Sequence, residues 1–169
     1  MDGTMAGLAE MADITGLKVG IASRAQLAGK TGLDILRGYI SGELPSPPMG
    51  VALNFWISEA DEGRVIFLGE PTEQHLNPMG GVHGGWALAA IDSVTGCAAM
   101  STLELGVGYA TIETRGSLVR PIKPNSGIYR AEGRVLTRGR QIITTDAFLT
   151  GPDGKLYAHG SSTLMVQRP

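Results

Sequence analysis

One segment constrains this chain more than any other. From Trp86 to Met100 the sequence reads Trp-Ala-Leu-Ala-Ala-Ile-Asp-Ser-Val-Thr-Gly-Cys-Ala-Ala-Met, rich in Ala and apolar nearly all the way round. Ala-rich sequence favours helix, and a helix without a polar face must be buried on most of its circumference. Fifteen residues fall short of the roughly 20 needed to span a bilayer, so protein must surround it. The chain has 169 residues, 43% of them hydrophobic and 18% charged, enough for one domain with one core. Asp92 is the only ionisable group in the segment apart from the thiol of Cys97.

The wrapping for that helix is legible on either side of it. From Val51 the pattern has period two, with Leu53, Phe55 and Ile57 alternating with Asn54, Trp56 and Ser58. Asp61-Glu62-Gly63 supplies a turn, and Arg64 to Gly69 returns as the second strand of a hairpin. After the helix, strands are expected at 109–120, 127–137, 141–150 and 155–166, separated by Pro, Gly and Asp turns. Connections this short favour antiparallel neighbours. Ala131 and Gly133 on one strand, and Ala158, Gly160 and Ser162 on another, share inner faces small enough for a helix to approach closely. The expected fold class is α+β, one antiparallel sheet wrapped around one long buried helix.

An extra N-terminal helix is expected from Thr31, which can cap it with Asp34 three residues on, while Leu33, Leu36 and Ile40 recur at helical spacing. Pro45-Ser46-Pro47-Pro48 stops it and marks entry to the main body. Residues 1–25 read as a Gly-, Ala- and Met-rich arm, and 26–169 as a single domain.

The formal net charge of -2, with no stripe of Lys or Arg, argues against nucleic acid as a partner. The single Cys97 lies in an apolar run, where a buried small hydrophobe is the ordinary role. The N-terminus, with Asp2, Glu10 and Asp13, lacks the basic-then-apolar order of a secretory signal, and no membrane span is visible. A cytoplasmic protein is expected. His75, His83, His159 and Cys97 show no metal-ligand spacing, and neither a nucleophile elbow nor a phosphate-binding glycine loop occurs.

Asp92 therefore carries the chemical question. A carboxylate on an apolar helix either hydrogen-bonds locally or serves as general base or nucleophile. Gly84 and Gly85 fall at the first turn, where backbone N–H groups lack intrahelical partners. These glycines either permit a tight turn or leave an oxyanion free access to N–H groups at the positive end of the helix dipole. His83 is a candidate base or a packing residue at the helix entrance. Asn77 and Thr111 suit a turn and a strand respectively, or a site beside Asp92.

Taken together, Asn77-Pro78-Met79-Gly80-Gly81-Val82-His83-Gly84-Gly85, with an acid nine residues after the histidine, resembles the signature of PaaI-like acyl-CoA thioesterases of the hotdog-fold superfamily. Leu118-Val119-Arg120-Pro121 and Gly133-Arg134-Val135 resemble strands of that family, and the likeness covers about residues 51–166. The resemblance implies that Asp92 is the catalytic acid, as general base or nucleophile, and that the Gly84 N–H polarises the thioester carbonyl. It further implies that Asn77 holds the reacting groups and Thr111 positions water or carboxylate. Arg138, Gly139 and Arg140 resemble a basic turn near the nucleotide of coenzyme A. Gly85 and Trp86 are candidates for contact with the substrate, Trp86 with a core role as the alternative. The implied reaction is hydrolysis of an aryl- or short- to medium-chain acyl-CoA without metal or cofactor. The implied assembly is a homodimer with shared active sites, paired into a dimer of dimers. The competing readings are a non-catalytic acyl-CoA sensor or scaffold and a hotdog hydratase, whose D-x4-H pattern is absent here.

Overall fold

The structure, a computed structural model, describes residues 18–169. Most of the expected arm, residues 1–17, lies outside the described residues. Of the remainder, Val19 bridges Ser46, and a one-turn helix α1 (Arg24–Leu27) follows.

Helix α2 (Gly32–Ser41) starts where the capping residues place it. The Asp34 N–H donates to Thr31 Oγ1 at 3.2 Å, and the Thr31 N–H donates to Asp34 Oδ2 at 2.9 Å, closing a reciprocal capping box. Gly42, at φ 76°, ends the helix in the left-handed conformation that glycine adopts without strain. Leu36 is buried, and α2 packs against the first strand.

The strand pattern expected from Val51 begins later than its alternation suggests. Val51, Ala52 and Leu53 belong to a second short helix, α3 (Pro48–Leu53), and β1 (Phe55–Asp61) starts after Asn54. Pro48 occupies the first helical position, where its missing N–H costs nothing, and Asn54 at φ 50° turns the chain into the strand. Turn chemistry therefore overrides an alternation that also fits one helical turn.

The other elements follow the expected order. They are β2 (Arg64–Gly69), a 3-10 turn (Glu73–His75), helix α4 (Gly84–Met100), β3 (Gly108–Leu118), β4 (Tyr129–Arg138), β5 (Ile142–Thr150) and β6 (Leu156–Gln167). The six strands form one sheet in the order β1-β2-β4-β5-β6-β3, antiparallel at every pairing. Helix α4 lies across its inner face and touches β2 through β6.

Two glycines set how closely α4 approaches. A Cβ on Gly133 would stand 2.5 Å from the Val94 carbonyl oxygen, and one on Gly160 would overlap the Arg115 carbonyl oxygen and meet Ile91. Gly133 thus lets the backbone of β4 lie almost on that of α4, while Gly160 leaves room on β6 for the Ile91 side chain. Around that contact Ile91, Val94 and Ala98 are buried with Ala131, Ala147 and Ala158. The helix is not buried all round, however. Leu88 and Asp92 are exposed in the single chain, on a side bordered by the edge strand β3.

Candidate active site

Asp92 stands on that open side. The expectation of a carboxylate sunk among apolar groups does not hold within one chain, because the sheet covers only one face of α4. Its oxygens are nonetheless held unequally. Thr114 Oγ1 donates to Asp92 Oδ1 at 2.7 Å, while Oδ2 has no side-chain partner among the described residues. Behind Thr114 the hydroxyl of Ser162 lies 2.9 Å away, and that of Thr95 2.7 Å beyond it. Thr95 also donates to the Ile91 carbonyl within its own helix, at 2.8 Å. Hydroxyls from two strands and the helix thus form a chain that ends on one carboxylate oxygen.

Thr114, and not Thr111, supplies the hydroxyl that touches Asp92. The register between β3 and β6 shifts between Thr111 and Glu113. One extra residue in a strand turns every following side chain to the opposite face. Thr114, Gly116 and Leu118 therefore face α4, whereas plain alternation from Thr111 would turn them away. Thr111 itself lines the wall of the cavity beside Asp92.

That cavity encloses about 510 Å³, within the usual range of small-molecule sites. Its walls come from α2, the Pro47–Val51 segment, β1, β2, β3 and the open side of α4, and include Tyr39, Met49, Phe55, Cys97 and Tyr109. Asp92 is the one charged side chain among them. Burial, together with the nearby Asp92 charge, pushes the Cys97 thiol up to about 12. Burial first, and the charges of Cys97 and Asp92 after it, also raise the Tyr109 hydroxyl well above its ordinary value. Both groups are therefore neutral at physiological pH. Nothing in residues 36–57 carries a chemical motif by which the sequence alone would mark these N-terminal walls.

The glycine-rich entrance precedes α4. His83 is its N-cap, and the Gly85 N–H donates to His83 Nδ1 at 2.9 Å, which requires that nitrogen to be unprotonated. His83 thus fixes the first turn. The Gly84 N–H, by contrast, has no acceptor among the described residues. Asn77 Oδ1 accepts from the N–H groups of Met79 (2.9 Å) and Gly81 (3.3 Å), so this side chain shapes the loop that delivers the helix. Trp86 is in the core, 3% exposed, donating through Nε1 to the Leu53 carbonyl at 2.7 Å and packing edge-on to Tyr129. Arg138 is paired with Glu104 at 2.8 Å, whereas Arg140, beyond Gly139, is exposed.

A single antiparallel sheet laid round one long helix is the architecture of the hotdog class. Residues 79–158 match the family model described as "Thioesterase superfamily". Human acyl-coenzyme A thioesterase 13 is 30% identical over 105 residues, covering 62% of this chain and 74% of the relative. A Caenorhabditis elegans protein that carries a provisional esterase name is 35% identical over 92 residues; the match spans 54% of this chain and only about half (53%) of that relative's length. Among solved structures, a phenylacetic acid degradation-related protein from Ralstonia eutropha JMP134, which carries a provisional thioesterase name, superposes with a TM-score of 0.70. It is 32% identical, covering 77% of this chain and 98% of the other. The chain belongs to the thioesterase superfamily, in its PaaI-like hotdog branch, and is a thioester hydrolase.

Proposed function

We propose that this protein hydrolyses an aryl- or short- to medium-chain acyl-CoA to the free acid and coenzyme A, with Asp92 as its catalytic carboxylate. The observation that carries the reading is the asymmetry of that carboxylate: Thr114 holds Oδ1, and Oδ2 is left open beside an otherwise uncharged cavity. Acyl-CoA as the substrate is supported by the name of the human relative. The reaction needs no metal or redox cofactor, since a base, an electrophilic donor and water suffice.

In the base route Asp92 takes a proton from water as the water oxygen bonds to the thioester carbon. The tetrahedral intermediate then collapses, the C–S bond breaks, and the proton passes from Asp92 to the departing thiolate. In the nucleophile route the carboxylate itself attacks, the C–S bond breaks and coenzyme A leaves as the thiolate, and water then cleaves the mixed anhydride, returning the Asp92 carboxylate and giving up a proton that neutralises the thiolate.

An oxyanion donor is needed near the same carbon, and we assign it to the Gly84 N–H. Gly84 and Asp92 are eight residues apart on one helix, which at 1.5 Å per residue separates them by about 12 Å along the axis. Both cannot reach one carbonyl, so the donor comes from a second copy. Strand β3 is a sheet edge with Ile112 57% and Leu118 51% exposed, a surface suited to pairing with its counterpart. The assembly is thus a homodimer with two shared sites. Pairing of two dimers is favoured by Phe148 and Met165, which leave apolar surface on the outside of the sheet. Arg140, exposed in the turn after β4, is assigned to the coenzyme A phosphates.

The test is thiol release across a panel of aryl- and alkyl-CoA thioesters, with Asp92→Asn alongside. Turnover that vanishes in the variant, with acyl-CoA binding retained, supports the assignment. Binding without turnover in the wild type would favour a sensor, and full turnover in the variant would remove Asp92 from the mechanism.

A further inference from the structure

His75 is the one buried histidine, and three segments of the chain meet at it. The Thr72 N–H donates to its Nδ1 at 2.8 Å, so that nitrogen carries no proton and Nε2 does. Nε2 in turn donates to the Ala52 carbonyl at 3.1 Å, at the C-terminal end of α3, where carbonyls lack partners within the helix. The His75 backbone carbonyl accepts from the His83 N–H at 2.8 Å, beside a bridge between Leu76 and Val82. The loop that delivers α4 is therefore closed at its base by His75, and the next N–H along the chain is that of Gly84. His75 is not among the walls of the cavity beside Asp92. A side chain that only filled this space would be apolar, since burying an imidazole is costly unless both nitrogens are satisfied. Here both are, and each bond restrains the residue whose carbonyl holds His83.

We propose that His75 is a positioning residue for the reaction: its neutral imidazole fixes the carbonyl that receives the His83 N–H, and so sets where the Gly84 N–H points. The inference rests on the reading of Gly84 as oxyanion donor to the Asp92 of a second copy. A donor displaced by about 1 Å loses much of its hold on the transition state while substrate binding changes little, so kcat falls about ten- to a hundredfold with KM nearly constant. The Nδ1 contact closes the turn of residues 72–75 directly and carries the larger share. The Nε2 contact leads instead to α3, whose Met49 and Val51 wall the cavity of the same chain. If that tie were the one that mattered, the defect would travel with Asp92 and not with Gly84. His75 lies outside residues 79–158, so the segment that aims the donor begins before the family match.

The experiment uses His75→Gln, whose amide N–H stands near the place of Nε2 but which lacks the acceptor at Nδ1, and His75→Asn, which does the reverse. Steady-state thiol release is expected to show the drop in kcat at nearly constant KM in His75→Gln, with His75→Asn milder. Each variant is then unfolded and refolded as an equal mixture with Asp92→Asn, and separately with Gly84→Pro, which lacks the donor N–H. With Asp92→Asn, activity is expected to rise to about a quarter of wild type, because that copy presents an intact entrance loop to the Asp92 of the His75 variant. With Gly84→Pro there is no gain. A gain with Gly84→Pro, alone or as well, places the defect in the cavity wall and overturns the inference. So does a gain with neither, the mark of a general folding defect, and so does wild-type kcat in His75→Gln. In each of these cases the reference mixture, Gly84→Pro with Asp92→Asn, still recovers and the shared site stands. Failure of that reference mixture overturns both.

Discussion

The two sides of α4 are built on opposite principles. Toward the sheet, Gly133 lets backbone meet backbone and Gly160 makes room for Ile91, and the side chains at the contact are buried and uncharged. On its other side the same helix leaves Asp92 exposed in the single chain, with one oxygen held by Thr114 of the edge strand β3 and a cavity beside the carboxylate. The first side fixes where the helix lies, and the second uses that location. A carboxylate can be aimed from an exposed face only because the opposite face cannot slide.

This contrast predicts that activity and stability separate by face. The largest effect is expected from Asp92→Asn, which should lower kcat by about a thousandfold, equivalent to about 4 kcal/mol of barrier, with the melting temperature little changed. Steady-state thiol release and a thermal melt check both halves. Cys97 adds no background signal, because its thiol stays protonated at assay pH. Next is Gly133→Ala, whose methyl group meets the Val94 carbonyl, a backbone atom that cannot step aside. A loss of about 3 kcal/mol in urea denaturation is expected, against total stabilities of about 5–15 kcal/mol. Were Gly133→Ala as stable as wild type, the close approach would not be what fixes α4.

Thr114→Val should lower kcat about tenfold, by freeing the Asp92 carboxylate to rotate, and should shift stability far less than Gly133→Ala. The smallest effect belongs to the outer face of the sheet, remote from both sides of α4. There burial would raise Glu132, but hydrogen bonds from Arg130, Arg134 and Arg64 overcome it and bring the carboxyl down to about 2. Because the folded value lies below the unfolded one, this group adds stability above the ordinary carboxylate value of 4.5, and the contribution is lost as pH falls toward 2. Glu132→Gln should therefore cost about 1–2 kcal/mol at neutral pH, a difference that shrinks on acidification, with kcat unaffected. Denaturation at neutral and acid pH measures it.

Much of the sheet side of α4 is legible in the sequence. The apolar Trp86–Met100 run, the small residues at Gly133, Ala158 and Gly160, and the turn residues between strands all express constraints that act locally or with period two. The Thr31–Asp34 capping box is legible for the same reason. The open side is less so. Asp92 is conspicuous as the one acid in its segment, but its exposure depends on which face the sheet covers, and that is a tertiary fact. Thr114 is hidden by the bulge near Ile112, which no alternation pattern reveals, so counting from Thr111 turns it outward. The helical Val51–Leu53 stretch reads as strand because three alternating residues also fit one helical turn. Tyr39 and Tyr109 are ordinary residues until α2 and β3 bring them to one cavity.

The central claim, that Asp92 of one copy works with the Gly84 N–H of another, is tested most directly by mixing two inactive variants. Gly84→Pro removes that N–H at the first helical position, where proline is tolerated, and the extended His83 before it suits a following proline. Asp92→Asn removes the carboxylate. Each variant alone is expected to be nearly inactive. Unfolded together and refolded as an equal mixture, random pairing restores one intact site in half of the dimers, or about a quarter of wild-type activity. Recovery near that level is the predicted result. A mixture no more active than its components, despite mixed dimers being formed, would contradict a site shared between copies.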